Sequence, residues 1–360
     1  VQSPAQGLLS AAVVARTLAR AIPLSVQLDL TMRCNERCVH CYRVVERRPE
    51  LTTAEIFTVL ASLMRAGTLH LTLSGGEVFL HPDLFDVLRE AKRLRFDVRL
   101  KSNALLIDAA RAARVREAGV RQVDVSIYSA DSEVHDRVTG VTGSLARTLA
   151  GVGHLRDAGV RVKLCCPLMT VNVAAWRTVR ALADALGVAC VFDPMITARN
   201  DGDRSPVAWR AAPDDLAPVF AEDAAHVSEE PACDPAPDVP CGAAHNAAYV
   251  SAYGDVMPCV AMPVVCGNVR ERPFEAIWAD SLAMRRVRGI RVAELRGCSS
   301  CDASIFCSRC PGQALVEDGD LCGPSAASCA QAEAAARAAG SPARAAGIRR
   351  LLPLVASRSA

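Results

Sequence analysis

The sequence predicts an α/β protein, a partial (β/α)6 barrel followed by a small cysteine-rich domain that carries a β-hairpin. Three observations predict it. From about Val26 to Pro194, short β-branched runs alternate with stretches of helical spacing, as βα units repeated around a parallel sheet do. The 16 cysteines fall mainly into two regions, a triplet near the start and a long series between Cys233 and Cys329. Gly254 lies between two short strand-like segments, Ala248 to Ser251 and Val256 to Val260, and reads as a hairpin turn.

The strands are expected at Val26 to Thr31, His70 to Leu73, Asp97 to Lys101, Gln122 to Ile127, Val160 to Cys166 and Val188 to Asp193. The helices between them are expected at Thr52 to Ala66, Pro82 to Leu94, Asp108 to Ala118, Ser144 to Ala158 and Ala174 to Leu186, several stopped by a glycine. Residues 1–25 form an N-terminal extension, 26–194 the partial barrel, 195–232 a Pro-, Asp- and Ala-rich linker, 233–330 the cysteine-rich domain and 331–360 a tail. One helix is expected within the linker near Asp214 to His226, and one at Ser328 to Ala339. In parallel barrels the chemistry gathers at the loops after the C-terminal ends of the strands, and each motif singled out in the barrel follows a strand.

Composition removes several classes of function. A net charge of +2 and 4% aromatic residues supply neither the basic patch nor the stacking rings that nucleic-acid binding uses. No apolar run is long enough for a membrane span and no export signal is present, so a cytoplasmic location is expected. In that reducing compartment so many cysteines point to metal ligation rather than disulfides.

The sequence Thr31-Met-Arg-Cys34-Asn-Glu-Arg-Cys38-Val-His-Cys41-Tyr42 places three thiols in one loop directly after the first strand. Three thiolates on a four-iron cube leave one iron free for an external ligand. A structural zinc loop is the alternative, closed by a fourth ligand such as His40. After the second strand comes Ser74-Gly75-Gly76-Glu77, where two glycines permit close approach of the backbone to a ligand; a plain strand-to-helix turn is the other reading. The downstream series reads Cys241-x12-Gly254-x4-Cys259, then Cys298-x2-Cys301-x5-Cys307-x2-Cys310, then Cys329, more thiols than one tetrahedral site uses. A pair of zinc ribbons would use the same C-x2-C pairs.

The C-x3-C-x2-C triplet, joined to the Gly75-Gly76-Glu77 motif, resembles the radical S-adenosylmethionine (SAM) enzymes. The downstream series resembles their C-terminal SPASM extension, with two residues instead of three between Cys307 and Cys310. The resemblance implies a 4Fe-4S cluster on Cys34, Cys38 and Cys41 whose free iron chelates S-adenosylmethionine and breaks its sulfonium bond reductively, releasing a 5′-deoxyadenosyl radical. It implies cofactor contacts from Gly75, Gly76 and Glu77 (the amino group), from His40 (adenine, where the family often has an aromatic residue), and from Asn103, Ser126 and Thr139. A helix cap or turn is the ordinary alternative for such Ser and Asn residues. It further implies two auxiliary clusters, an outer one on Cys298, Cys301, Cys307 and Cys329 and an inner one on Cys241, Cys259 and Cys310, with Cys233 as fourth ligand. Cys266 and Cys322 are substitutes should one of these differ, and Cys165, Cys166 and Cys190 read as small apolar core residues.

Family members with this extension mainly modify ribosomally made peptides, so the expected activity is cross-linking or dehydrogenation of a precursor peptide. The expected partners are that peptide, a separate leader-peptide-binding protein and a reductant such as a flavodoxin or ferredoxin. Val260 stands where the sulfatase-maturing members carry a basic Asp, which argues against formylglycine formation. The alternatives are a dehydrogenase or cofactor-biosynthesis enzyme of the same superfamily acting on a small molecule, and a non-catalytic iron–sulfur electron carrier. No catalytic acid or base is identified in the sequence.

Overall fold

The computed structural model describes residues 4–226 and 238–339. After α1 (Pro4–Arg20), the chain runs β1 (Ser25–Thr31), α2 (Thr53–Ala66), β2 (His70–Gly75), α3 (Leu84–Arg93), β3 (Asp97–Ser102), α4 (Ala109–Glu117) and β4 (Gln122–Ser126). It continues with α5 (Ser132–Thr139), α6 (Ser144–Asp157), β5 (Val162–Pro167), α7 (Trp176–Leu186), β6 (Ala189–Asp193) and α8 (Pro213–His226). The last part comprises β7 (Ala247–Val250), β8 (Asp255–Met257), β9 (Gly267–Asn268), α9 (Phe274–Asp280), α10 (Leu282–Gly289), α11 (Pro311–Asp318) and α12 (Ala326–Ala339).

Strands β1 to β6 pair in chain order and in parallel, each crossing to the next through a helical segment. This is the partial barrel that the alternation predicts. The strand faces divide the chemistry. Val26, Leu28 and Leu30 of β1, Leu71 and Leu73 of β2, Leu100 of β3 and Val123 and Val125 of β4 are buried with Ile56, Leu60 and Leu63 of α2 and with Val87 and Leu88 of α3. Burying one such side chain contributes about 2–3 kcal/mol, so this layer supplies most of the drive to fold. The intervening residues turn the other way, as strand period dictates, and they are polar: Gln27 and Asp29, Lys101, Asp124, Lys163.

Those lumen groups satisfy one another. Buried Asp29 accepts hydrogen bonds from Tyr249 (2.8 Å) and Gln27 (3.0 Å), and Lys101 donates to Gln27 at 3.1 Å. Asp124 accepts from Gln122 at 2.6 Å and pairs with Lys163 at 3.3 Å. A buried sheet whose inner face is polar is costly unless each group is bonded, and the arrangement keeps the interior hydrophilic beneath the strand ends.

The expected hairpin is present, since β7 and β8 are antiparallel and Gly254 turns between them at φ +89°. It does not stand apart from the barrel. β7 pairs in parallel with β1, from Ser25 opposite Ala247 to Leu28 opposite Val250, so one nine-stranded sheet runs in the order β6-β5-β4-β3-β2-β1-β7-β8-β9. The segment after β6 is packed as well. Arg210 donates to Ile196 O and pairs with Glu317 of α11 at 2.8 Å, while Glu317, 4% exposed, also accepts from Ala198 N and Gln313. Helix α8 lies against α12.

Removing one partner of a buried ion pair strands the other. Glu317→Ala is therefore expected to destabilise the fold by about 3 kcal/mol, seen as a lowered thermal unfolding midpoint, while Arg204→Ala at the exposed edge of the same segment leaves it nearly unchanged.

Candidate iron–sulfur and cofactor sites

The loop carrying Cys34, Cys38 and Cys41 leaves the C-terminal end of β1 and lies over the start of the next turn, at Gly75 and Gly76. A Cβ on Gly75 would sit 2.2 Å from Thr31 O, and one on Gly76 would sit 2.0 Å from Arg33 O. Gly75 also holds φ +128°, where other residues are strained. Backbone bonds fasten the contact, Gly76 N donating to Thr31 O at 2.7 Å and Glu77 N to Arg33 O at 2.8 Å. The glycines thus admit the cysteine loop itself, a close approach of protein to protein.

Further bonds fix both ends of the loop. Glu50 accepts from Met32 N at 2.5 Å and from the Thr31 hydroxyl at 2.9 Å. Arg37 N donates to Thr139 O at 2.8 Å and Val39 N to Val138 O at 3.0 Å, which ties the middle of the loop to α5. The Thr139 hydroxyl is itself buried and bonded to Ser144 Oγ at 2.7 Å. Asn103 reaches the loop through Asn35, 2.7 Å away.

The Glu77 carboxylate is fully buried and turned inward. It accepts from Ser102 Oγ (2.8 Å), Asn103 N (2.8 Å) and Phe79 N (3.1 Å), and so locks the ends of β2 and β3 together. Burial pushes its pKa up, against these donors, which pull it down.

Around the thiols stand several groups that the motifs do not reveal. Tyr128, two residues past Ser126, places its hydroxyl 3.6 Å from Cys38 Sγ and also bonds to Ser126. His40 meets the Tyr128 ring edge-on at 5.1 Å. Glu36 lies 3.4 Å from Cys38 Sγ, and burial raises its carboxyl to about 7. Arg43 Nε donates to Cys41 Sγ at 3.2 Å. Tyr128 could have been found from its place just beyond β4, whereas nothing in the spacing distinguishes Arg43 from a surface arginine.

Downstream, the structure sorts the thiols into two groups. Cys307 and Cys329 lie within electrostatic reach of each other and both of Cys298 and Cys301. Cys241 is coupled in the same way to Cys259 and Cys310. Burial pushes Cys241 up to about 12 and Cys310 to about 11, so both stay protonated unless a cation replaces the proton. Met257 faces Tyr249 across the hairpin, and Cys259, two residues on, lies within reach of the lumen ammonium of Lys101. Cys266 belongs to neither group; it sits near Ser281 and Arg288. Cys166 is buried in the core as expected, whereas Cys165, on the opposite face of β5, is only half-buried, and half-buried Cys190 lies beside them in β6. Cys233 lies outside the described residues.

Do these donors suit iron–sulfur clusters? Among the described residues, the buried side-chain atoms without a hydrogen-bond partner include Glu36 Oε1 and His40 Nδ1 beside the first three thiols and Arg309 Nη1 near Cys241 and Cys310. Buried polar atoms are seldom left unmatched, and these lie where a cluster and its cofactor would meet them. Among the described residues no three Cys, His, Asp or Glu side chains are drawn together into a metal site, so what fits the chemistry is the soft thiol donor type and its clustering along the chain.

The sequence profile of the radical SAM superfamily matches residues 28–182, and that of the SPASM iron–sulfur cluster-binding domain matches residues 241–302. The chain carries a radical SAM domain followed by a SPASM domain. This radical SAM enzyme carries 4Fe-4S clusters and uses S-adenosylmethionine. It is 28% identical over 337 residues to the AdoMet-dependent heme synthase of Methanosarcina barkeri, covering 83% of this chain and 94% of that protein. It is 26% identical over 306 residues to the subtilosin biosynthesis protein AlbA of Bacillus subtilis, covering 80% and 67%. Its fold is that of Streptococcus suis SuiB, solved with its precursor peptide SuiA, at a TM-score of 0.69 and 16% identity over 91% of this chain and 82% of that one.

The backbone approach beneath the cysteine loop can be tested directly. Gly76→Ala is expected to cost about 3 kcal/mol and to lower iron retention after anaerobic reconstitution. Gly153→Ala on α6, where the added Cβ meets nothing within 4 Å, should leave both unchanged.

Proposed function

We propose that this radical SAM enzyme oxidatively modifies a ribosomally made peptide, by cross-linking or dehydrogenating its residues, with Cys34, Cys38 and Cys41 holding the cluster that cleaves the cofactor. The observation that carries the reading is the placement of one thiol loop at the C-terminal end of β1, above a polar lumen, with the β7–β8 hairpin that leads to Cys259 paired to that same strand. When bound, the cluster and S-adenosylmethionine would supply a 5′-deoxyadenosyl radical able to take one hydrogen atom from an unactivated carbon; loss of the second hydrogen would need an acceptor for its electron and solvent or a base for its proton. Cys241, Cys259 and Cys310, with Cys233, are assigned to an inner auxiliary cluster suited to that task, and Cys298, Cys301, Cys307 and Cys329 to an outer one.

The remaining residues bind and orient. Gly75 and Gly76 serve through their backbone, and Glu77 holds Asn103 in place. Asn103 and Ser126 are assigned to the cofactor side, Thr139 supports the cysteine loop through its carbonyl with its hydroxyl buried against Ser144, and His40, neutral because burial lowers it to about 4, would pack against adenine beside Tyr128. The polar lumen, where Lys101 donates to Gln27 and Asp193 accepts from Met195 N, suits a substrate with polar groups. The reductant is a flavodoxin or ferredoxin, a separate protein presents the leader peptide, and the enzyme works in the cytoplasm. Similarity to AlbA over most of this chain supports the peptide.

A second reading, small-molecule chemistry of the cofactor-biosynthesis kind, is favoured by the match that spans nearly the whole of the heme synthase. Mass spectrometry decides between them. Co-expression with any small open reading frame found beside this gene that encodes a precursor peptide is expected to yield a peptide lighter by about 2 Da per modification, one pair of hydrogens. Unchanged peptide masses, together with restored heme in cells lacking their own heme synthase, would establish the second reading instead.

Anaerobic reconstitution should give about twelve irons per chain for three cubes. Replacing Cys34, Cys38 and Cys41 by Ala is expected to remove about four of them and to abolish 5′-deoxyadenosine formation, measured by chromatography, with the downstream clusters still visible by EPR.

A further inference from the structure

We propose that Arg43 sets the reduction potential of the N-terminal cluster by a charged N–H···S hydrogen bond to Cys41. The proposal rests on the assignment of that cluster to Cys34, Cys38 and Cys41.

The geometry is specific. Arg43 stands two residues beyond the last cysteine of the triplet, and its Nε donates to Cys41 Sγ at 3.2 Å. Another arm of the same guanidinium, Nη1, donates to the carbonyl of Met32 at the end of β1. The fork is therefore held at both the strand end and the thiol, and it cannot swing into solvent without losing both bonds. Its charge also reaches Cys34. Cys38 has a different environment, with the neutral Tyr128 hydroxyl at 3.6 Å and the Glu36 carboxyl at 3.4 Å. The positive field falls on the Cys41 and Cys34 side of the loop.

Reducing a 4Fe-4S cluster adds one electron, and so one negative charge, to the iron–sulfur core and its thiolates. Hydrogen bonds to the ligand sulfurs and a cation beside them stabilise the reduced form more than the oxidised one, and the potential rises. An arginine suits this position because its charge is permanent and its planar fork makes two bonds at once. A lysine carries the charge on a single point and reproduces only part of the arrangement. The bond to Met32 O could serve merely to close the loop, and that structural role would leave the potential unmoved.

The test is an EPR-monitored redox titration of the reconstituted full chain. The N-terminal cluster is identified as the signal that changes when S-adenosylmethionine is added. Arg43→Gln is expected to make one-electron reduction of that cluster about tenfold less favourable, a midpoint about 59 mV more negative. The midpoints of the auxiliary clusters stay where they are, and Arg43→Lys recovers part of the shift. A wild-type midpoint in Arg43→Gln overturns the proposal, as does an equal shift of every cluster, which marks general loosening. If Arg43→Gln does not retain iron, Arg43→Lys decides alone: it lacks the Nε bond, and a wild-type midpoint in that variant overturns the proposal. Persistence of the SAM-responsive signal after replacement of all three cysteines would instead show that the cluster assignment had failed.

Discussion

The contact on which the rest of the structure depends is the passage of the Thr31 to Arg33 backbone across Gly75 and Gly76. Parallel pairing of β1 with β2 brings two strand ends side by side, and a side chain at either glycine would meet a carbonyl oxygen at little more than 2 Å. With that passage open, Thr31 O and Arg33 O accept backbone N–H groups and the loop begins in a fixed direction. Glu50, Glu77 and the carbonyls of α5 then hold it at successive points. Three thiols within eight residues would otherwise be free to take many arrangements, and this scaffold narrows that freedom by fixing the backbone that carries them.

The second constraint is the division of the barrel strands into an apolar outer face and a polar inner one. Parallel strands covered on both sides usually read as continuous apolar runs. Here alternation persists, because the inner face borders a lumen whose charged groups are bonded to one another. Gln27, Asp29, Lys101 and Tyr249 form one such set, and Gln122, Asp124 and Lys163 another. Desolvation raises Asp29, so its bonds to Tyr249 and Gln27 are what keep a carboxylate tolerable there.

Much of this was legible in the residues. The six barrel strands lie within two residues of the positions expected from β-branched runs, because their boundaries coincide with turns of strong local preference. The hairpin about Gly254 and the helix ending at His226 were equally plain. The short helix α5 was not assigned, although Asp131 caps its start and Gly140 ends it, since eight residues hold too few apolar positions to show a period. Helices α9 and α10, of seven and eight residues, are hidden for the same reason. Parallel pairing of β7 with β1 joins residues more than 200 positions apart, and no local pattern encodes the choice of such a partner. At the site, residue types and spacing disclosed the thiols, while Tyr128 and Arg43 owe their places to tertiary geometry. Glu77 shows the converse, a motif residue whose carboxylate is engaged with the protein's own strand ends.

Strand β1 is hydrogen-bonded on both flanks, to β2 and to β7. The loop with the first thiols grows from its end, and Cys259 follows the hairpin that begins beside it. The two cysteine regions therefore start from one continuous sheet, whose strand separations of about 4.8 Å set the spacing of those starting points. Electron tunnelling between clusters held there would then cross a distance that inter-strand hydrogen bonds fix, leaving the potentials of the two ends as the variable that tunes its rate.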